Sequence, residues 1–174
     1  MSNRRSFLKI GAAAAITLAA GGAIYRMVTP TPTPHPFALD GEARAALNAI
    51  IPVLLGPLLP SEAAARAQAL AATLERTHGA IRGLPLSTQK EVQDLFGLLA
   101  LAPARRFLAG VSASWEQAEP AEVADFLQSW RKHRLAMLQT AYLALHDLVL
   151  GSWYADPSSW AAIGYPGPRK ELLK

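Results

Sequence analysis

Apolar residues recur along this chain at steps of three and four, which predicts helices from one end of its body to the other. Asp40 reads as an N-cap with Glu42 in the first turn, opening a helix that presents Leu39, Ala43, Leu47, Ile50 and Ile51 and stops at Pro52. The stretch Val53 to Pro60 is too apolar for an exposed connector, so it is expected to lie under the core or a partner. Ser61 is expected to cap a second helix that ends at Gly79, and Thr88-Gln89-Lys90-Glu91 fits a capping box for a third with Val92, Leu95, Phe96, Leu98 and Leu99. Pro103 begins a short fourth helix holding Phe107, Leu108 and Val111. From Pro120 nothing breaks the pattern before Gly151, which predicts one helix of about 30 residues, ~45 Å long. Val123, Leu127, Trp130, Leu138, Leu145 and Val149 form its apolar stripe, and past Met137 the opposite face turns apolar at Leu143 and Leu150, so its last turns read as a centre or an interface. No alternating strand pattern of useful length occurs. The fold expected is all-α, a bundle of four to five helices with a long C-terminal helix and an irregular tail.

The first 36 residues stand outside that scheme. Asn3-Arg4-Arg5-Ser6-Phe7-Leu8-Lys9 looks like the twin-arginine export signature, with Arg4, Arg5, Phe7, Leu8 and Lys9 as its recognition residues. An Ala- and Gly-rich apolar run follows it, as an h-region follows a basic n-region. From Ile10 to Tyr25 is 16 residues, short of the roughly 20 that span a bilayer, so the segment reads as a signal peptide, with an uncleaved anchor as the alternative. Thr29 to Pro36 alternates proline with polar residues and reads as a stiff spacer. The organisation expected is therefore a signal or anchor over 1–26, a Thr/Pro linker over 27–36 and a single helical domain over 37–174. The location expected is the periplasm, or the periplasmic face of the inner membrane if the signal stays attached.

Composition narrows the function classes. Cleavage of the signal removes Arg4, Arg5 and Lys9 from 17 basic side chains and leaves 14 against 13 acidic ones, too even a balance to steer nucleic acid. With no cysteine, thiolate zinc sites, iron–sulfur clusters, covalent c-type haem and disulfides are excluded in this chain. No glycine-rich dinucleotide motif and no Glu-x-x-His pair is present, and no metal site or catalytic residue is assigned. His133 and His146 are 13 positions apart, about 220° around a single helix, and so could not face one ion from it. Arg131-Lys132-His133-Arg134 and Arg105-Arg106 read as solvated faces or docking patches, with Arg134 placed to stack on Trp130 at i+4.

The tail is the second informative stretch. Gly151 to Pro168 holds two of the four tryptophans and two of the four tyrosines, with three prolines and three glycines. Such a composition suits aromatics packed on the helices, or an interface anchor at Trp153, Tyr154, Asp156, Trp160, Tyr165 and Pro166.

Three features together resemble the small subunit of membrane-associated gluconate 2-dehydrogenase and related flavin dehydrogenases: the twin-arginine signal, a first helix ending in Ile50-Ile51-Pro52, and a last helix running into G-x-W-Y-x-D-P and W-x-x-x-G-Y-P-G-P. The similarity covers both ends of the chain and only thinly the middle. It implies a non-catalytic subunit that supplies the signal to a GMC-type FAD dehydrogenase large subunit lacking one. In that family a multihaem cytochrome c often completes the set, and the twin-arginine translocase carries the escorted pair. The resemblance implies no cofactor in this chain, and FAD in the partner. After Asp156-Pro157 the sequence Ser158-Ser159-Trp160 departs from the usual family tail, so a sugar, a sugar acid and an alcohol all stay open as substrate. Two other classes stand beside this reading: a stand-alone exported helical protein that binds a small apolar ligand or cofactor around Trp153 and Trp160, and a membrane-tethered structural protein.

Overall fold

A computed structural model describes residues 35–167. The signal residues Arg4, Arg5, Phe7, Leu8 and Lys9, and the spacer up to Pro34, lie outside them. Among the described residues there is no strand, and every regular element is helical. None of these helices is long and apolar enough to cross a membrane.

Helix α1, Gly41–Leu55, is the one against which α2 (Ala63–Arg82), α3 (Leu86–Ala100), α5 (Pro120–Arg131) and α6 (Ala136–Tyr154) all pack. Asp40 caps it as expected, its carboxylate accepting from Ala43 N at 2.8 Å. Ala43, Leu47, Ile50, Ile51 and Leu55 are buried along it. Pro52 does not stop the helix. Proline's φ suits a helix, so at this depth it costs one hydrogen bond, and three more residues follow before Gly56 takes φ 43° and closes the end on Pro52 O. Burial of Leu55, and of Leu59 after the short 3-10 turn Gly56–Leu58, explains the extra turn and tucks the apolar connector under the core.

The cap of α2 is Glu62 rather than Ser61, its two carboxylate oxygens accepting from Ala64 N and Ala65 N at 2.9 and 2.7 Å. Gly79 does not end this helix either. Fully buried Ile81 draws a further turn onto the core, and Gly83 closes it. Helix α3 begins at Leu86 behind Pro85 with no side-chain cap, so the capping box at Thr88 is not used. Gln89 does something else there. It is buried, donates to Arg82 O and Leu84 O at 3.0 and 2.8 Å, and accepts from Phe37 N at 2.8 Å. Gln93 beside it accepts from Ala38 N at 3.0 Å. The segment entering the fold is thereby fastened to α3, with the Phe37 ring buried against Phe96 and His78.

The short α4, Ala102–Ala104, widens into a π turn over Arg105–Ala109, which ends on Gly110 at φ 72°. Val111 lies beyond the end of the helical turn rather than on it and is buried, whereas Phe107 and Leu108 are exposed: the wider turn aims them outward, and Phe107 is 84% exposed. The predicted 30-residue helix is two helices. Helix α5 stops at Arg131, and α6 starts at Ala136 after a corner. His133 builds that corner: its Nδ1 accepts from Leu135 N at 3.1 Å, and its carbonyl accepts from Gln139 Nε2 at 2.6 Å. Helix α6 buries Leu138, Tyr142, Leu145, Val149 and Trp153 on one face, and runs through Gly151 to Tyr154. Its other face stays open, with Leu143 exposed, so it is not the centre. That place belongs to α1.

Candidate partner-binding surface

Helix α6 carries Trp153 and Tyr154 as its last two residues, and the tail leaves it through two 3-10 turns, Pro157–Ser159 and Ala161–Ile163. Trp153 is buried and Tyr154 half-buried, so the inner aromatics belong to the fold.

Asp156 fixes the first turn. Its Oδ1 accepts from Ser158 N at 2.9 Å, and its Oδ2 meets Arg76 Nη1 of α2 at 2.6 Å. Arg76 also donates from Nε to Ser152 O at 3.1 Å, so one guanidinium ties both the end of α6 and the tail to α2. The hydrogen bonds from Ser158, with a smaller contribution from the Arg76 charge, hold the Asp156 carboxyl below the ordinary carboxylate value. Sequence reasoning missed Arg76. The only signal for it is that Ala65, Ala69 and Ala72 precede it at helical steps, a small-residue stripe on α2 that ends on a cation.

Trp160 is held by its indole N–H, which donates to Tyr154 O at 2.8 Å. Its ring is half-buried and meets Tyr165 edge-on, with centroids 5.2 Å apart. Gly167, at φ 93°, passes so close that an added Cβ would lie 3.0 Å from the Trp160 ring. Ile163, Tyr165 and Pro166 form the outer side of this frame, with Tyr165 45% exposed. The structure therefore brings Trp153, Tyr154, Asp156 and Trp160 together as a fixed base, and leaves Tyr165 and Pro166 at the surface.

An open cleft runs between α2, the connector and this base, lined by Leu59, Ala65, Ala69, Ala72, Trp153 and Ser159 among others. Its Arg76–Asp156 pair is satisfied internally, so the lining offers apolar contact and little free polar chemistry.

The other candidates sit elsewhere. His78 faces Phe37, with Glu75 4.0 Å away; His133 shapes the α5–α6 corner; His146 pairs with Asp147 at 2.9 Å. Among the described residues no three His, Asp or Glu side chains gather as a metal site. Arg134 does not stack on Trp130, because the helix ends before it. Trp130 instead meets Phe126 edge-on at 4.7 Å and donates to Leu108 O at 2.8 Å. No protein-family profile, curated protein or solved structure matches this chain.

Proposed function

We propose that this protein is the non-catalytic small subunit and twin-arginine export escort of a periplasmic flavin-dependent dehydrogenase of the GMC type. The observation that carries the reading in the structure is the tail: a base fixed by Arg76, Asp156 and the Trp160 indole holds Ile163, Tyr165 and Pro166 outward. A preordered aromatic edge of that kind loses little entropy when a partner covers it. The twin-arginine signature and the tail motifs supply the rest of the support. In this reading the five longer helices form one bundle, hydride transfer from the sugar, sugar acid or alcohol to FAD takes place in the large subunit, and the multihaem cytochrome c that often completes the set in the resembled family is the third partner to look for. The complex works in the periplasm, or on the periplasmic face of the inner membrane if the signal is retained.

A search of the neighbouring reading frames for a signal-less GMC oxidoreductase, followed by co-expression with it, tests the proposal. The large subunit should appear in the periplasm with it, and Arg4→Lys with Arg5→Lys should keep both in the cytoplasm. The double variant Tyr165→Ala, Pro166→Ala should fold and export normally while retaining about a tenth or less of the co-purified partner. Full co-purification by that variant, or export of the oxidoreductase without this chain, contradicts the proposal.

The apolar cleft beside Trp153 favours one second reading, a stand-alone exported protein that binds a small apolar ligand. Quenching of tryptophan emission by an apolar probe, abolished by Ala69→Leu filling the cleft, would support it over the escort.

A further inference from the structure

Two short runs of the same make-up, cations followed by exposed apolar side chains, meet at one edge of the fold far from each other in sequence. The first is Arg105-Arg106-Phe107-Leu108 on the π turn, and the second is Arg131 to Met137 around the α5–α6 corner. The Trp130 indole joins them by its hydrogen bond to Leu108 O, and Phe107, Leu108 and His133 line one open cleft. Phe107, Leu135 and Met137 are 84%, 54% and 70% exposed. Arg106, Arg131, Lys132 and Arg134, in the same two runs, are exposed, and none of these forms an ion pair among the described residues. Glu122, which accepts from Ser112 Oγ at 2.8 Å, and Asp125 also reach the cleft, but Arg105, Arg106, Arg131, Lys132 and Arg134 outnumber them, so the edge as a whole is cationic.

We propose that this edge docks on an anionic lipid surface. Its apolar tips enter the headgroup region while the arginines and the lysine lie against phosphates. Charge complementarity selects the occupant, and the form of the apolar part favours lipid over an acidic protein. A protein partner of that area needs a floor of matching shape. Here the apolar side chains protrude singly from a turn and a corner, which a fluid interface accepts without shape matching. The inference stands apart from the escort reading, because it needs neither a dehydrogenase nor the tail.

The chain has no cysteine, so a single one can carry an environment-sensitive fluorophore. Ala136→Cys places the label in the corner, and Ala71→Cys places it on exposed α2 as the control. With the full chain, the label at 136 should brighten and shift to the blue on phosphatidylglycerol vesicles and not on phosphatidylcholine vesicles. The label at 71 should do neither. Arg131→Gln, Lys132→Gln, Arg134→Gln should raise the lipid concentration for half the response on the order of a hundredfold, from about fivefold per cation removed. Phe107→Ser with Met137→Ser should remove the blue shift; both sites are exposed, so circular dichroism should show an unchanged fold. Equal responses at 71 and 136 would mean attachment through the Ile10–Tyr25 segment alone and would overturn the proposal. So would equal responses to the two lipids, or a label at 136 that ignores lipid and responds to a co-purified protein subunit.

Discussion

Trp130 and Trp160 make the same bond in two very different places. Each indole N–H donates to a backbone carbonyl at 2.8 Å, Trp130 to Leu108 and Trp160 to Tyr154, and each ring meets another aromatic edge-on. Trp130 is sealed in the core with Phe126 and Trp115, and its bond anchors the π turn. Trp160 is half-buried, and its bond anchors a tail whose outer side is open. A hydrogen bond of this kind contributes about 1 kcal/mol in either place, so the difference between the two lies in the buried area. The same local device holds the protein together at one site and preforms a surface at the other.

Trp130→Ala should have the largest effect. Loss of the ring and the cavity left behind should lower the unfolding free energy by about 3–5 kcal/mol, read in urea melts. A loss under about 1 kcal/mol would erase the distinction. Trp160→Ala should cost about 1–2 kcal/mol and speed proteolysis within 157–167 while the helices stay intact. Asp156→Asn comes next, at about 1 kcal/mol or less at neutral pH, since its partner Arg76 is partly exposed. Its clearer signature is in acid. The folded Asp156 carboxyl titrates below its ordinary value of 3.8, so the stability it contributes is complete above that value and is lost as the pH falls through the lowered one. Asp156→Asn should flatten that part of the acid limb, and an unchanged slope between the two proteins would place the tail's anchor elsewhere. Tyr165→Ala should change stability least, within about 0.5 kcal/mol. A larger loss would move Tyr165 from the open side of the frame to the closed one.

The helical class and most of the core were legible in periodicity, because burial of Ala43, Leu47, Ile50, Val123, Leu127 and Trp130 follows from three- and four-residue spacing alone. The ends of helices were not. Pro52, Gly79 and Gly151 are weak stops when an apolar residue beyond them, Leu55, Ile81 or Trp153, gains a place in the core. The α5–α6 corner was hidden for the opposite reason. Its break contains no proline or glycine, only a histidine bonding its own neighbourhood, and Trp130 and Leu138 on either side keep the helical spacing. In the candidate surface, the aromatic content of the tail was visible, whereas Arg76 was not: 80 positions separate it from Asp156, and only the packing of α2 against α6 joins them.

The fastening of Phe37 and Ala38 to α3 has a mechanical consequence. Tension applied to the chain from the N-terminal side of Phe37 reaches the side-chain amides of Gln89 and Gln93, and the wedged Phe37 ring, before it reaches the first turn of α1. Since α1 is the helix on which the others lean, loading it directly would peel the protein from its middle. The glutamine pair diverts the load to a flanking helix and works as strain relief at the first described residues of the fold. Pulled from the N-terminus in a force-spectroscopy experiment, Gln89→Ala should yield at lower force than the parent, and pulled from the C-terminal side of α6 the two should differ by no more than their equilibrium stabilities.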